Sequence, residues 1–222
     1  MFIGHLAVGL AAKRVTPRVS LAMLLLAAQW ADTVWPVLLG LGFEHVRIDP
    51  GNTAFTPLDF ISYPYSHSLI ALVAWGILVG SVYRGIAGGR RTFWVLATLV
   101  VSHWVLDYVT HRPDMPLYPD GPKVGLGLWN DVPGTIVVET AMYATGLWIY
   151  MRTTRARDAV GRWAFLFLAG LLMLAYVANI LGGPPPSVRA IWVGSLAGAA
   201  LLTLLAWWAD EHRDVVSLLG KR

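Results

Sequence analysis

Six blocks of mostly apolar residues, each roughly 18 to 22 long, divide this chain, and each is the length needed to cross a bilayer core as a helix. They fall at about 20–41, 66–83, 92–110, 134–151, 163–181 and 188–208. Of 222 residues, 56% are hydrophobic and 14% charged, against about half and a quarter in a soluble domain. The expectation is a single all-α domain over 1–222, a polytopic helical membrane protein with six spans.

Ahead of the first span, Phe2 to Ala12 is apolar and ends at Lys13-Arg14. At about 1.5 Å per residue a helix over 2–14 is too short to cross, so it reads as a half-membrane or interfacial helix. A cleaved signal peptide with Leu21–Ala28 as its apolar core is the competing account. The chain beyond that core continues as further membrane-length blocks rather than a soluble domain, which counts against it.

Basic residues set the orientation. Thirteen fall on one side: Lys13, Arg14 and Arg18 before the first span; Arg84, Arg90 and Arg91 between the second and third; Arg152, Arg155, Arg157 and Arg162 between the fourth and fifth; and Arg213, Lys221 and Arg222 after the last. The other side has Arg47, Arg112, Lys123 and Arg189. Both termini are therefore expected in the cytoplasm and the protein in the cell's inner (plasma) membrane. The net charge of +4 follows from this topology and gives no reason to invoke nucleic acid. With no cysteine, disulfides and thiolate metal sites are excluded. Segments 43–65 and 111–133 read as long outer loops rich in Pro, Gly and Asp, and GGPPPS at 182–187 as a stiff turn.

Apart from Arg189 at the very start of the last block the spans carry no Lys or Arg, yet they contain Asp32, Asp107, Glu139, His67 and His103; His5 lies in the short first helix and His111 at an outer edge. A central Asp costs about 2.5–3.5 kcal/mol to insert, and such groups face a cavity or a partner. Measured from the basic anchors, all of these but His111 lie at depths of roughly 13 to 25 Å, so several segments bring polar groups to one band. In SHWVLDYVTH, at 102–111, His103, Asp107 and His111 recur every fourth residue and share a helix face. Imidazole with carboxylate suits zinc, and also manganese, iron or nickel. A dication would neutralise acids that have no basic partner. The bland alternative is that a lone intramembrane His serves packing, that His67 is a solvated residue at a span's start, that Trp35-Pro36 marks only a kink near Asp32, and that His111 is merely solvated before Pro113. His45 and His212 read as surface residues. Ser66 and Ser68 flank His67, but neighbours in sequence do not make a nucleophile–base pair, and GLGLWN at 125–130 lacks the Lys of a phosphate loop.

At these residues the chain resembles the YdjM-like family of inner-membrane metal-dependent hydrolases. That pattern has a His followed four residues later by Gly, an acidic second segment, a THS-type element and S-H-x-x-L-D-x-x-T. Here the matching positions are His5 with Gly9, Asp32, SHS at 66–68 and SHWVLDYVT at 102–110, spanning roughly residues 1–120. The acidic element keeps only Asp32, and Ser62 and Tyr63 stand where a His-Arg pair is usual, leaving one or two ions implied. A more distant similarity is to the zinc-dependent phospholipase C and P1-nuclease class, in which His5, Asp32, His67, His103, Asp107, His111 and Glu139 follow the order of the ligands.

The expectation is a membrane-embedded hydrolase with Asp32, His67, His103 and Asp107 as core metal ligands and His5, His111 and Glu139 as further candidates. The metal would be divalent, zinc foremost, and would lower the pKa of a bound water toward 7. Glu139 is the candidate general base, counted with Asp107 among the catalytic candidates. The substrate expected is a lipid-borne ester or phosphoester, or a small molecule, met at the bilayer. The rival readings are a proton- or ion-coupled transporter, weakened by small size and the lack of a visible repeat, and a structural protein with protonated, hydrogen-bonded acids.

Overall fold

The computed structural model describes residues 1–87 and 89–216; Lys221 and Arg222, which enter the charge asymmetry, lie outside the described residues. The chain opens with α1 (Ile3–Ala12), α2 (Leu21–Ala28) and α3 (Trp30–Gly40). Ser20 starts α2 by accepting a hydrogen bond from the Met23 amide. The apolar block expected at 20–41 is a broken one. Gln29, with φ −100° and ψ 18°, leaves helical geometry, and α2 and α3 meet at a 62° bend. Pro36 sits inside α3, one turn beyond Asp32.

An antiparallel hairpin, β1 (His45–Ile48) and β2 (Leu58–Ser62), occupies the stretch expected to be loop; α4 (Pro64–His67) comes after it. Then come α5 (Leu69–Ala87) and α6 (Arg90–Thr110). Gly76 and Gly80 of α5 let the two backbones approach: a Cβ on either would lie 2.8 Å from a carbonyl oxygen, of Ala97 and Phe93 respectively. After α6 a second short hairpin pairs β3 (Met115–Pro116) with β4 (Lys123–Val124). Asp131 caps α7 (Val132–Thr153), β5 (Thr154–Ala156) is next, and Asp158 caps α8 (Ala159–Leu181). The proline-rich turn at 182–187 leads into α9 (Val188–Glu211), which Ser187 caps, and β6 (Arg213–Val215) returns to pair with β5.

Among the described residues, four helices are long and apolar enough to cross a membrane: α5, α6, α8 and α9. Counting the bent α2–α3 pair as one makes five. The remaining expected span, 134–151, falls on α7, which has 22 residues but carries Glu139 with several Thr and Gly and is not among the helices apolar enough to cross. The first helix also differs from an interfacial one, which would keep a face exposed. Eight of the ten residues of α1 are buried, and α1 packs against α2, α6 and α7. Gly146 of α7 makes this possible, since a Cβ there would lie 2.6 Å from the Ala7 carbonyl oxygen. At the far end of α1, buried Lys13 donates to Asp210 at 2.6 Å and to the Val19 carbonyl at 2.9 Å, and Tyr150 donates to the same carboxylate at 2.6 Å. This network fixes α1 against α7 and α9, and so fixes the depth at which His5 sits.

Candidate metal centre

The stripe on α6 forms the spine of the site. His103 and Asp107 point from the same face, and His111, the residue that ends the helix, continues it. Asp107 is the hub. Its Oδ2 lies 3.1 Å from Nε2 of His103, 3.9 Å from Nε2 of His67 and 4.0 Å from Nε2 of His111. Its Oδ1 lies 3.0 Å from Nε2 of His5 and against the Met1 amino group. Asp32 completes the ring, with Oδ1 at 3.5 Å from His67 and Oδ2 at 3.8 Å from His103. The His5 and His103 rings stack, their centroids 3.7 Å apart.

Among the described residues, two groups of side chains could hold a metal ion: His5, His103 and Asp107, and Asp32, His67 and His103. Ligands about 2.0–2.1 Å from a tetrahedral ion stand roughly 3.3 Å from one another, and the separations within the ring bracket that figure. The orientation of the imidazoles agrees. His103 Nδ1 is 2.9 Å from the Ala28 carbonyl oxygen. A carbonyl can only accept, so Nδ1 carries a proton, and in the neutral ring Nε2 keeps its lone pair. That Nε2 is buried and has no hydrogen-bond partner among the described residues. His111 Nδ1 is 2.9 Å from Asp114 Oδ1, which likewise accepts. His67 Nδ1 is 2.7 Å from Ser66 Oγ, whose hydroxyl donates to Glu44 at 2.6 Å. Three imidazoles thus have Nδ1 engaged outside the cluster and Nε2 turned toward Asp107. This is the outer-shell arrangement found behind metal-ligating histidines.

The carbonyl used by His103 is free because of the bend. In an unbroken helix the Ala28 oxygen would accept from the residue 32 amide, whereas a helix end leaves such carbonyls without an internal partner. The same bend starts α3 and places Asp32 in its first turn.

The segments that flank α6 hold His111. Tyr63 donates to Asp114 at 3.0 Å, and Arg112 bridges Asp114 and Asp59. Burial, with Asp114 beside it, pushes the Tyr63 phenol well above its ordinary range, so it remains a donor. The Trp129 ring covers His111, centroids 4.2 Å apart.

The site opens into a cavity of about 540 Å³. Asp32, His67, Asp107 and His111 form its polar end, and leucines of α8 and α9 line much of the rest. His5, His67, His103, Asp107 and His111 are almost fully buried, while Asp32 is 40% exposed. A donor set of nitrogen and carboxylate oxygen, closed on the protein side and open to a cavity, matches how catalytic metal sites keep one position free.

Of the residues singled out from sequence, His5, Asp32, His67, His103, Asp107 and His111 converge. Neither His111 nor Glu139 joins either metal-capable group; His111 lines the cavity and Glu139 does not. Its Oε2 accepts from the amides of Phe2 and Gly4, at 2.8 and 3.2 Å, and so caps α1. His45 is exposed and His212 pairs with Asp158, as surface residues do. Ser66 does meet His67 in space, but it is fully buried and bonded to Glu44, so it positions the ring. Asp114, Glu44 and the Ala28 carbonyl complete the site without having been expected from sequence. The H-x-x-D spacing of His111 and Asp114 was a usable signal; Glu44, 22 residues from Ser66, offered none. Comparison with protein families, with curated proteins and with solved structures finds no match to this chain.

Proposed function

We propose that this chain is a multi-pass membrane hydrolase that uses a divalent cation, zinc foremost, and is related to the YdjM-like family. In this reading the bent α2–α3 pair and α7 are crossings alongside α5, α6, α8 and α9, with both termini cytoplasmic and the protein in the plasma membrane. The observation that carries the reading is the set of three imidazole Nε2 atoms turned toward Asp107, each ring held from behind through Nδ1. Buried histidines kept for packing have no need of three separate anchors that all bare the same nitrogen.

His67, His103, His111, Asp32 and Asp107 would hold the ion, and His5 with Asp107 Oδ1 would take a second one only in place of the Met1 amino group that contacts that oxygen. A divalent cation bound there supplies Lewis acidity and activates water. The chain's own part is to orient and to move a proton. The cavity-facing, partly exposed Asp32 is placed to accept the proton of an attacking water, and Glu139 anchors α1, and through it His5. Hydrolysis adds one water across the ester bond, leaving an acid and an alcohol. A lipid-borne ester or phosphoester suits the apolar approach to the centre.

Elemental analysis of the purified full chain tests the reading, together with hydrolysis of a panel of carboxylic and phosphoric esters. One or two equivalents of metal, lost with activity in Asp107→Ala, are expected. Metal-free protein, or variants of Asp107 and His103 that hydrolyse as well as the parent, would overturn it. A transporter would instead dissipate an ion gradient in liposomes.

A further inference from the structure

The cavity continues away from the polar end as a cleft between α8 and α9. Buried Leu168 and Leu172 form one wall. On the other, Gly194 and Gly198 line the cavity, and a Cβ built on either meets nothing within 4 Å. Both glycines are themselves exposed, as are Ala175 of α8 and Leu201 of α9, which also line the cavity. The cleft is therefore open through the side of the helix pair. Both helices are among those long and apolar enough to cross a membrane, so with the pair in a bilayer this opening would face hydrocarbon rather than water. At its inner end stand the bare Nε2 atoms of His67 and His111, buried and aimed at Asp107.

We infer that this cleft is the seat of a single hydrocarbon chain of a lipid substrate, which enters sideways between α8 and α9 and brings its ester or phosphoester group to the His/Asp centre. The inference rests on the hydrolase reading for what happens at the polar end, but the seat itself is a matter of shape and polarity. A volume of about 540 Å³ falls within the range of roughly 300–1,000 Å³ for a site that engulfs one small ligand, so one chain is held and any second stays in the bilayer. Glycine at 194 and 198 keeps the wall thin where a chain must pass. Leucine at either position would project into the vacant space beside α9 without striking its backbone neighbours.

The test uses the full-length protein in nanodiscs and a hexadecyl phosphate with a diazirine at the chain end, photolysed and mapped by peptide mass spectrometry. Labelling is expected on the cavity-lining residues of α8 and α9. In Gly194→Leu/Gly198→Leu that labelling should fall about tenfold or more. Gly170→Leu, at an open position of α8 outside the cavity, should leave it unchanged. Labelling confined to outward residues such as Phe167 and Leu204 in the parent would overturn the inference, and so would undiminished labelling of the cleft in the double variant. Bound zinc and hydrolysis of p-nitrophenyl butyrate, whose short chain does not need the cleft, are measured on the same samples. If they persist while cleft labelling is absent, the seat alone fails. If cleft labelling behaves as expected while zinc and hydrolysis are missing, the seat stands and the hydrolase reading falls.

Discussion

His111 Nδ1 stands 2.9 Å from Asp114 Oδ1, and this pair, three residues apart in sequence, turns the opposite ring nitrogen toward Asp107. Outer-shell partners of this kind typically contribute about 10–100-fold to metal affinity. Asp114→Asn should weaken zinc binding within that range while leaving all proposed ligands in place. Competition with a chromogenic chelator measures it, and unchanged affinity would deny the pair its orienting role.

The relay behind His67 makes a parallel case. Ser66→Ala removes the acceptor of the Nδ1 proton and leaves Glu44 with a buried oxygen short of one donor. Metal affinity should fall by about tenfold or more. Hydrolysis should fall with it and recover at saturating zinc; a nucleophilic serine would instead give a variant that excess metal cannot rescue.

Lys13 and Asp210 are side chains less than a tenth exposed. Removing one partner of such a pair costs about 3–5 kcal/mol, because the other charge is left buried and unmatched. Lys13→Ala should therefore lower the melting temperature sharply, and Lys13→Met/Asp210→Leu should recover much of the loss. Thermal unfolding in detergent distinguishes the two.

Gly146→Val would press a side chain onto the Ala7 backbone. Overpacking of this kind costs about 1–3 kcal/mol. Since α1 carries His5, zinc stoichiometry should drop as well as stability. A destabilised variant with a full complement of metal would show that His5 is dispensable.

At the start of α8, His212 and the Gly161 amide hold the Asp158 carboxyl below its ordinary range. A depressed carboxylate stabilises the fold above its unfolded value, about 3.9, and that contribution fades as pH falls through the lower folded value. Asp158→Asn should thus flatten the acid limb of the melting curve and leave the neutral region nearly level. Melting temperatures recorded across the acid range provide the check.

The stripe on α6 was legible because four-residue spacing maps directly onto a helix face, and the apolar blocks fixed most of the helices. Two things escaped for physical reasons. A block can be apolar enough to cross and still break, and nothing in LLLAAQWADT marks Gln29 as the place. The support for each imidazole comes from residues whose proximity is created only by folding: Glu44 from the β1 side, Ala28 from a neighbouring helix. Glu139 shows the converse. A buried acid in a polar band reads as catalytic, and folding adds a role that spacing does not show: Oε2 is engaged by the amides of Phe2 and Gly4, while Oε1 is buried without a hydrogen-bond partner among the described residues.

The joint at Gln29 also bears on engineering. Rewriting residues 28–32 as one uninterrupted helix is attractive on propensity alone, and it would return the Ala28 oxygen to the backbone ladder. His103 would then lose its anchor and Asp32 its direction, so the more regular protein would be the one with the less ordered His/Asp cluster.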